Sequence, residues 1–321
     1  MTYDLYFHND FDGWASAAVM LAFFEGRGDR IGHFVPVDHD LQSQWIKEDF
    51  FTKHHLFKGK RCAPVVLDFP FHPEAAFWFD HHPSAFKKKT WQKKFREDRT
   101  HAYRPRYLSC CHMAHAMLRR NFGWHPPEHF KELIAWLDII DGARFASAKQ
   151  TFLMKEPAFD VSNFIDAQKG DPKTAEWLIR LLSAAPLHEV AKIPKIAAAG
   201  RRARTVVARS IEFYRKHLIL LGRVTFIDLV GQEDKMLRFA PYYFYPKSRY
   251  NVRAAIKRLF YYLGVNENPW LPNKGKIHIG LLLKKYGGGG HATAGGVEFK
   301  TKEEAARARE AIIKILNRSK K

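Results

Sequence analysis

Apolar residues recur along the first part of the chain in short runs, separated by stretches of helical spacing. Tyr3–Phe7 reads as a strand and Gly13–Glu25 as the helix after it, stopped at Gly26. His33–Val37, Val65–Leu67 and Ala76–Phe79 predict three more strands. Helices are expected over Leu41–Phe51, Tyr107–Arg120 and Pro127–Asp141. Strands alternating with helices predict a parallel sheet covered on both faces.

From Asp171 to His217 the pattern is mostly helical, with breaks at Pro186 and Pro194. Ile196–His217, rich in alanine and arginine, predicts one long connecting helix. Aromatic and β-branched runs then predict strands over Arg223–Val230, Leu237–Tyr245, Val252–Leu259 and Val297–Phe299. Thr301-Lys302-Glu303-Glu304 has the form of a capping box. It opens a helix with Ala305, Ala308, Ile312 and Ile315 on one face. The expected layout is an N-terminal domain over 1–195, a helical linker over 196–219 and a smaller α/β domain over 220–321.

Composition narrows the class. With 321 residues and 46% hydrophobic positions the chain can build packed cores. No apolar run approaches the roughly 18–20 residues that span a bilayer, so no membrane partner is expected. The first residues lack a basic stretch followed by an apolar one, so no secretory signal is expected. Three cysteines, two of them adjacent, fit neither a disulfide framework nor a thiolate zinc site and favour a reducing cytoplasm. The formal net charge of +20 points to an anionic partner such as nucleic acid, a nucleotide or polyphosphate.

Candidate chemistry sits at the predicted strand ends. The first strand runs into His8-Asn9-Asp10-Phe11-Asp12-Gly13. Alternate side chains of an extended segment share a face, so His8, Asp10 and Asp12 can converge. Gly13 would allow a tight turn into the helix. Val65-Val66-Leu67 ends in Asp68, and Phe77-Trp78-Phe79 ends in Asp80-His81-His82. In open α/β sheets the binding crevice lies outside the carboxyl ends of the strands. A fourth acidic cluster closes a helix at Trp136-Leu137-Asp138-Ile139-Ile140-Asp141. Carboxylate and imidazole ligands without thiolate suit hard or borderline divalent ions. Such a pair of ions acidifies a shared water and clamps phosphoryl oxygens.

These motifs resemble those of the DHH phosphoesterases. His8 to Gly13 is similar to their H-x-D-x-D-G motif, and Asp80-His81-His82 to the signature that names them. Gly288-Gly289-Gly290-His291-Ala292-Thr293-Ala294-Gly295-Gly296 resembles G-G-G-H-x-x-A-G-G of the DHH-associated domain. The resemblance implies an α/β fold in which a parallel-sheet DHH domain is joined by the helical linker to the smaller domain. It also implies two divalent ions, manganese first, with magnesium or cobalt as alternatives. His8 and Asp10 would hold one ion, and Asp12 and His81 the other, with Asp68 bridging. Asp141 would supply a further ligand, with Asp138 as the alternative. Asp80 would orient a histidine, and His82 would bind phosphate or protonate the leaving oxygen. Gly288, Gly289, Gly290 and His291 would bind the phosphate or the nucleotide end, a role also suited to four consecutive glycines.

The implied function is hydrolysis of short oligonucleotides or linear dinucleotides to mononucleotides. A phosphatase acting on adenosine 3′,5′-bisphosphate or polyphosphate, and a non-catalytic nucleotide- or nucleic-acid-binding protein, are the alternatives. A homodimer is compatible with the sequence. Lys257, Arg258 and Arg249 are further candidates for substrate contact. Ser84–Arg106 carries nine Lys or Arg residues against two acidic ones, interleaved with Phe86, Trp91, Phe95 and Tyr103. It suits either a nucleic-acid contact or a surface loop with its aromatics packed beneath. His112 and His115, beside Met113 and Met117 without a neighbouring carboxylate, read as packing residues. His54, His55, His72 and His125 are given no role.

Overall fold

The computed structural model describes residues 1–53, 56–57, 59–232, 236–257, 259–272 and 275–318; His54, His55 and Arg258 lie outside them. The chain divides into two compact units. One is Met1–Phe145 with Lys155–Arg201, the other Ala146–Met154 with Arg202–Lys321.

The first unit is built on β1 (Thr2–His8), β2 (Arg30–Val37), β3 (Ala63–Leu67), β4 (Phe77–Asp80) and β5 (His101–Tyr103). All pairings are parallel, in the order β2-β1-β3-β4-β5. Side chains alternate between two cores, as the strand period of two requires. Leu5, Phe7, Val65, Leu67 and Phe79 face one cluster, while Tyr6, Val66 and Trp78 face the other. With both faces covered, these strands read as continuous apolar runs. Helix α1 (Phe11–Glu25) fills the first core and is buried on nearly every side. That is why it carries Trp14, Val19, Met20 and Phe23 with almost no polar face. Each large side chain buried there stabilises the unit by about 1.5–3 kcal/mol. Helices α2 (Cys110–Phe122) and α3 (Phe130–Ile140) pack onto the same core. Because all five strands are parallel, the ends of β1, β3 and β4 share one edge of the sheet.

The second unit holds a six-stranded mixed sheet. After α4 (Pro194–His217) come β6 (Ile219–Leu221), β7 (Val224–Asp228), β8 (Tyr250–Lys257) and β9 (Phe260–Glu267). Helix α5 (Ile279–Lys284), β10 (Gly289–Gly290), β11 (Ala294–Phe299) and α6 (Lys302–Arg318) follow. The strand order is β10-β11-β9-β8-β7-β6. The capping box is formed: Glu304 N–H donates to Thr301 Oγ1 and Thr301 N–H to Glu304 Oε2.

Four expectations are corrected. Leu41–Phe51 is not one helix but short turns, with helix only over Gln42–Trp45. Trp45 and Phe51 are both fully buried against Tyr6, whereas six residues apart on a helix lie about 240° apart. Leu237–Tyr245 is not a strand; Pro241, which cannot donate to a ladder, opens a short helix over Ala240–Phe244. Leu259, expected to end a strand, lies outside it: β8 ends at Lys257, and β9 begins at Phe260, paired along its length with β8. In α6 the buried position is Leu316, while Ile315 is exposed.

Candidate metal centre

Asp10 is the N-cap of α1, its Oδ1 accepting from Gly13 N–H at 3.0 Å. Gly13 is demanded by closeness, not by a turn. A Cβ there would lie 2.0 Å from the His8 carbonyl oxygen, so only glycine lets the helix start this close to the strand end. Asp68, just beyond β3, has φ of +55°, a left-handed conformation costly for a residue with a Cβ. The Asp68 N–H donates to Phe79 O at 2.9 Å, which ties the ends of β3 and β4 together.

These elements bring seven sequence-predicted residues together. His8, Asp10 and Asp68 place one ligand-type atom each within 4.8 Å of one another, and Asp12, His81 and Asp141 do the same. Asp68, His81 and His82 form a third such group. His8 Nδ1 lies 2.7 Å from Asp10 Oδ2 and 3.5 Å from Asp68 Oδ2. His81 Nε2 faces three carboxylates, Asp12 at 3.6 Å, Asp68 at 3.5 Å and Asp141 at 3.4 Å. Its other nitrogen, Nδ1, donates to Tyr107 O at 3.0 Å. That bond orients the ring and aims Nε2 at the carboxylates.

Asp12 is buried and accepts from the N–H groups of Cys110 at 2.6 Å and Cys111 at 2.9 Å, the first two residues of α2. Of the two helix-end aspartates, Asp141 is the one beside His81. Asp138 instead accepts from Ser109 Oγ at 2.7 Å and contacts His112 Nδ1 at 2.8 Å. His112 therefore does have a carboxylate partner, supplied by a neighbouring helix. Asp80, buried, accepts the N–H of His82 and contacts His82 Nδ1, both at 3.0 Å.

The electrostatics describe a site with more negative charge than its protein groups can balance. Burial, then Asp68 and Asp141, push Asp12 well above the usual carboxylate range. Burial and Asp68 push Asp141 up to about 6. Asp68 stays low against its burial because His8 and His81 stand beside it. Burial pulls both histidines down, but the carboxylates prevail. Asp10 and Asp68 leave His8 at about 10, and Asp68 and Asp12 leave His81 at about 10. His8 Nδ1, Asp68 Oδ1 and His81 Nε2 are buried without a hydrogen bond of good geometry. Buried polar atoms in this state are costly unless something else satisfies them. A divalent cation would do so, and it suits a donor set of carboxylates and imidazoles. The thiols of Cys110 and Cys111 are pushed up by burial and by the nearby aspartates, so they offer no thiolate.

Two side chains on this edge went unassigned from sequence. His39 and Ser84 line a cavity of about 30 Å³ with His8, Asp68, Asp80 and His82. The signal for His39 was its place two residues past the end of β2, on the same sheet edge. The amides of Cys110 and Cys111 and the Tyr107 carbonyl are backbone groups with no signature in side-chain identity.

The glycine motif lies in the second unit as a tight hairpin. Gly289 pairs with Gly296 and Gly290 with Gly295. A Cβ at Gly288, Gly290 or Gly295 would come within about 2.4 Å of a backbone oxygen across the pair. His291 is exposed, and its N–H donates to Ala294 O at 2.7 Å. Arg249 lies 3.4 Å from Glu267, and Lys257 is exposed with its ammonium over the Tyr262 ring. In the basic stretch Trp91 is buried, and Phe86, Phe95 and Tyr103 pack against the same core. Its aromatics are therefore not free to stack on bases.

No family model matches the sequence, and no curated protein matches it. Solved structures do match over essentially the whole chain; they are DHH-domain proteins, and the chain has their fold. The pGpG-specific phosphodiesterase PggH from Vibrio cholerae is similar at 18% identity and a TM-score of 0.73, covering 99% of this chain and 100% of that one. The DHH domain of a protein described as a member of a ribosomal-protein family is similar at 16% identity and TM-score 0.56, covering 100% and 87%. RecJ from Thermus thermophilus, in complex with manganese, is similar at 12% identity and TM-score 0.59, covering 99% of this chain and 52% of that one. At these identities the likeness is one of fold. Among the described residues no helix is long and apolar enough to cross a membrane.

Proposed function

We propose that the protein is a metal-dependent phosphoesterase that hydrolyses short oligonucleotides or linear dinucleotides to mononucleotides. The observation that carries this is the convergence of His8, Asp10, Asp12, Asp68, His81 and Asp141 on one sheet edge, where His8 Nδ1, Asp68 Oδ1 and His81 Nε2 are buried without a hydrogen bond. His8 and Asp10 would hold one divalent ion, Asp12, His81 and Asp141 a second, and Asp68, which contacts both histidines, would serve the two. Such ions, manganese by preference with magnesium or cobalt as alternatives, would polarise phosphoryl oxygens and acidify a shared water.

The chain's own groups do the rest. Cys110 and Cys111 amides and the Tyr107 carbonyl hold Asp12 and His81 in place before any ligand arrives. Asp80 holds the His82 ring by Nδ1 and raises its affinity for a proton. With Nδ1 engaged, His82 Nε2–H is left to donate to the leaving oxygen, as a general acid must. The glycine hairpin and His291 would bind the part of the substrate that does not react. The dinucleotide assignment is supported by the likeness, over both chains' full length, to a fold neighbour named as a pGpG-specific phosphodiesterase. Three free cysteines favour a cytoplasmic enzyme.

The test is hydrolysis with manganese across linear dinucleotides, five-residue RNA, adenosine 3′,5′-bisphosphate, polyphosphate and pyrophosphate. Release of mononucleotides from dinucleotides is expected. Orthophosphate release only from bisphosphate or polyphosphate would replace the diesterase with a phosphatase.

A further inference from the structure

Helices α2 and α3 carry a second pocket at their other end. α2 starts where Cys110 and Cys111 hold Asp12, and α3 ends beside Asp141. Away from that end, a cavity of about 200 Å³ is lined by His115, Arg119, His125, Glu128 and Lys131. At ~1.5 Å per residue, His115 and Arg119 lie roughly 8 and 14 Å along α2 from Cys110.

The lining describes what the pocket would take. His115 is only 9% exposed, yet it makes no hydrogen bond or ion pair with any described residue. Its ring packs against Trp124 and Phe130, while its nitrogens are not among the fully buried atoms that lack a partner, so the polar edge opens onto the pocket. Burial, then Arg119 and His112, push it down to about 4, so at neutral pH it is an uncharged ring with one N–H to give. Glu128 and Lys131 neutralise each other across 2.5 Å. Arg119 is exposed and has no ion pair among the described residues, so the charge left over is positive. The pocket also adjoins the start of α3, where His129 makes no side-chain cap and the helix end carries a partial positive charge. A cation fits poorly. Among the described residues His115, His125 and Glu128 do not gather their ligand atoms as the metal-centre residues do, and Arg119 would repel a metal ion.

We propose that this pocket is an anion site, separate from the metal centre, that takes a phosphate-class oxyanion, either inorganic phosphate or the terminal phosphate of a nucleotide. The oxyanion accepts the N–H of His115 and pairs with the Arg119 guanidinium, whose fork suits two oxygens at once. The proposal does not rest on the hydrolytic reading, because its ligand is met by groups that touch none of the proposed metal ligands.

The experiment is calorimetric titration of inorganic phosphate, and separately of adenosine 5′-monophosphate, into the manganese-loaded protein. Arg119→Glu and His115→Phe are titrated in parallel; the first is a surface change and the second keeps an aromatic ring in place. In the parent protein a binding event beyond the metal centre is expected for at least one probe. It should weaken about 10-fold or more in both variants, with manganese content and dinucleotide turnover unchanged. Response to phosphate identifies a free-anion site; response to the nucleotide alone identifies a terminal-phosphate site. Isotherms that are the same in parent and variants would overturn the proposal. A protein that binds at this pocket but hydrolyses nothing would sink only the hydrolytic reading.

Discussion

Asp68 Oδ1 and His81 Nε2 face each other across 3.5 Å, both buried, and neither makes a hydrogen bond of good geometry. A pair meant to stabilise the fold would have closed to ordinary hydrogen-bond distance, near 2.8 Å. Asp68 follows β3 and His81 follows β4, and at this separation the two atoms leave room for the ion that the proposed site would hold.

Replacing Asp68 tests this directly. Asp68→Asn keeps the shape but halves the ligand capacity and removes the charge that faces both His8 and His81. Activity should fall by more than the roughly 10–100-fold that loss of an outer partner costs. Manganese per chain, measured by elemental analysis, should fall with it. Full metal content together with parent activity would remove Asp68 from the proposed site.

Metal binding should release protons. His8 and His81 both stand at about 10, above the ordinary 6.5. At pH 7 the metal-free protein therefore holds both as imidazolium, while a metal ion takes neutral imidazole. Apparent manganese affinity should rise with pH between 7 and 10, and about one histidine proton should leave for each ion bound. Calorimetry in two buffers of different ionisation enthalpy reads this as a buffer-dependent heat. A heat independent of the buffer would mean that the histidines are not ligands.

Asp80→Asn separates positioning from metal binding. Asp80 contacts His82, is absent from the three metal-type groups, and is what chiefly raises the His82 pKa. A group raised in this way donates protons up to a higher pH. Without Asp80 the alkaline limb of the pH–rate profile should move to lower pH, and kcat should fall roughly 10–100-fold. Metal content should not change. An unmoved alkaline limb would mean that His82 is not the acid.

Much of this site was legible because a parallel sheet sends its strand ends to one edge. Once Tyr3–Phe7, Val65–Leu67 and Ala76–Phe79 read as strands, His8, Asp68 and Asp80 had to be neighbours. What escaped was set by tertiary contact. The choice between Asp138 and Asp141 is made by Ser109 and His112, which engage Asp138 from another helix. The aromatics of the basic stretch are claimed by a core built around Trp78 and Phe71. Gly13 was read as a turn, and its reason is a carbonyl 2.0 Å from where a Cβ would sit.

That close approach predicts a stability effect far larger than the one atom added. In Gly13→Ala the new methyl meets the His8 backbone, which belongs to β1 and cannot rotate away. Overpacking of this kind costs about 1–3 kcal/mol, and relieving it must move either α1 or the His8–Asp10 turn. Urea unfolding should show the loss, and manganese affinity should drop because His8 and Asp10 shift. A variant with parent stability and parent metal binding would mean that the strand-to-helix junction is looser than this packing implies.

His291→Ala makes the contrasting case. His291 is exposed, belongs to the second unit, and is in none of the metal-type groups. The hairpin around it is held by backbone pairing of Gly289 and Gly290 with Gly296 and Gly295, so removing the imidazole should leave the fold intact. If the hairpin binds the non-reacting end of a nucleotide, KM for linear dinucleotides should rise by about 10-fold or more, as for a lost hydrogen bond to a charged group. Hydrolysis of a small activated phosphodiester, which lacks that end, should be unaffected. Manganese content should match the parent. Equal losses on both substrates would instead give His291 a part in the chemical step, and an unchanged KM would leave the glycines as packing residues of the β10–β11 hairpin alone.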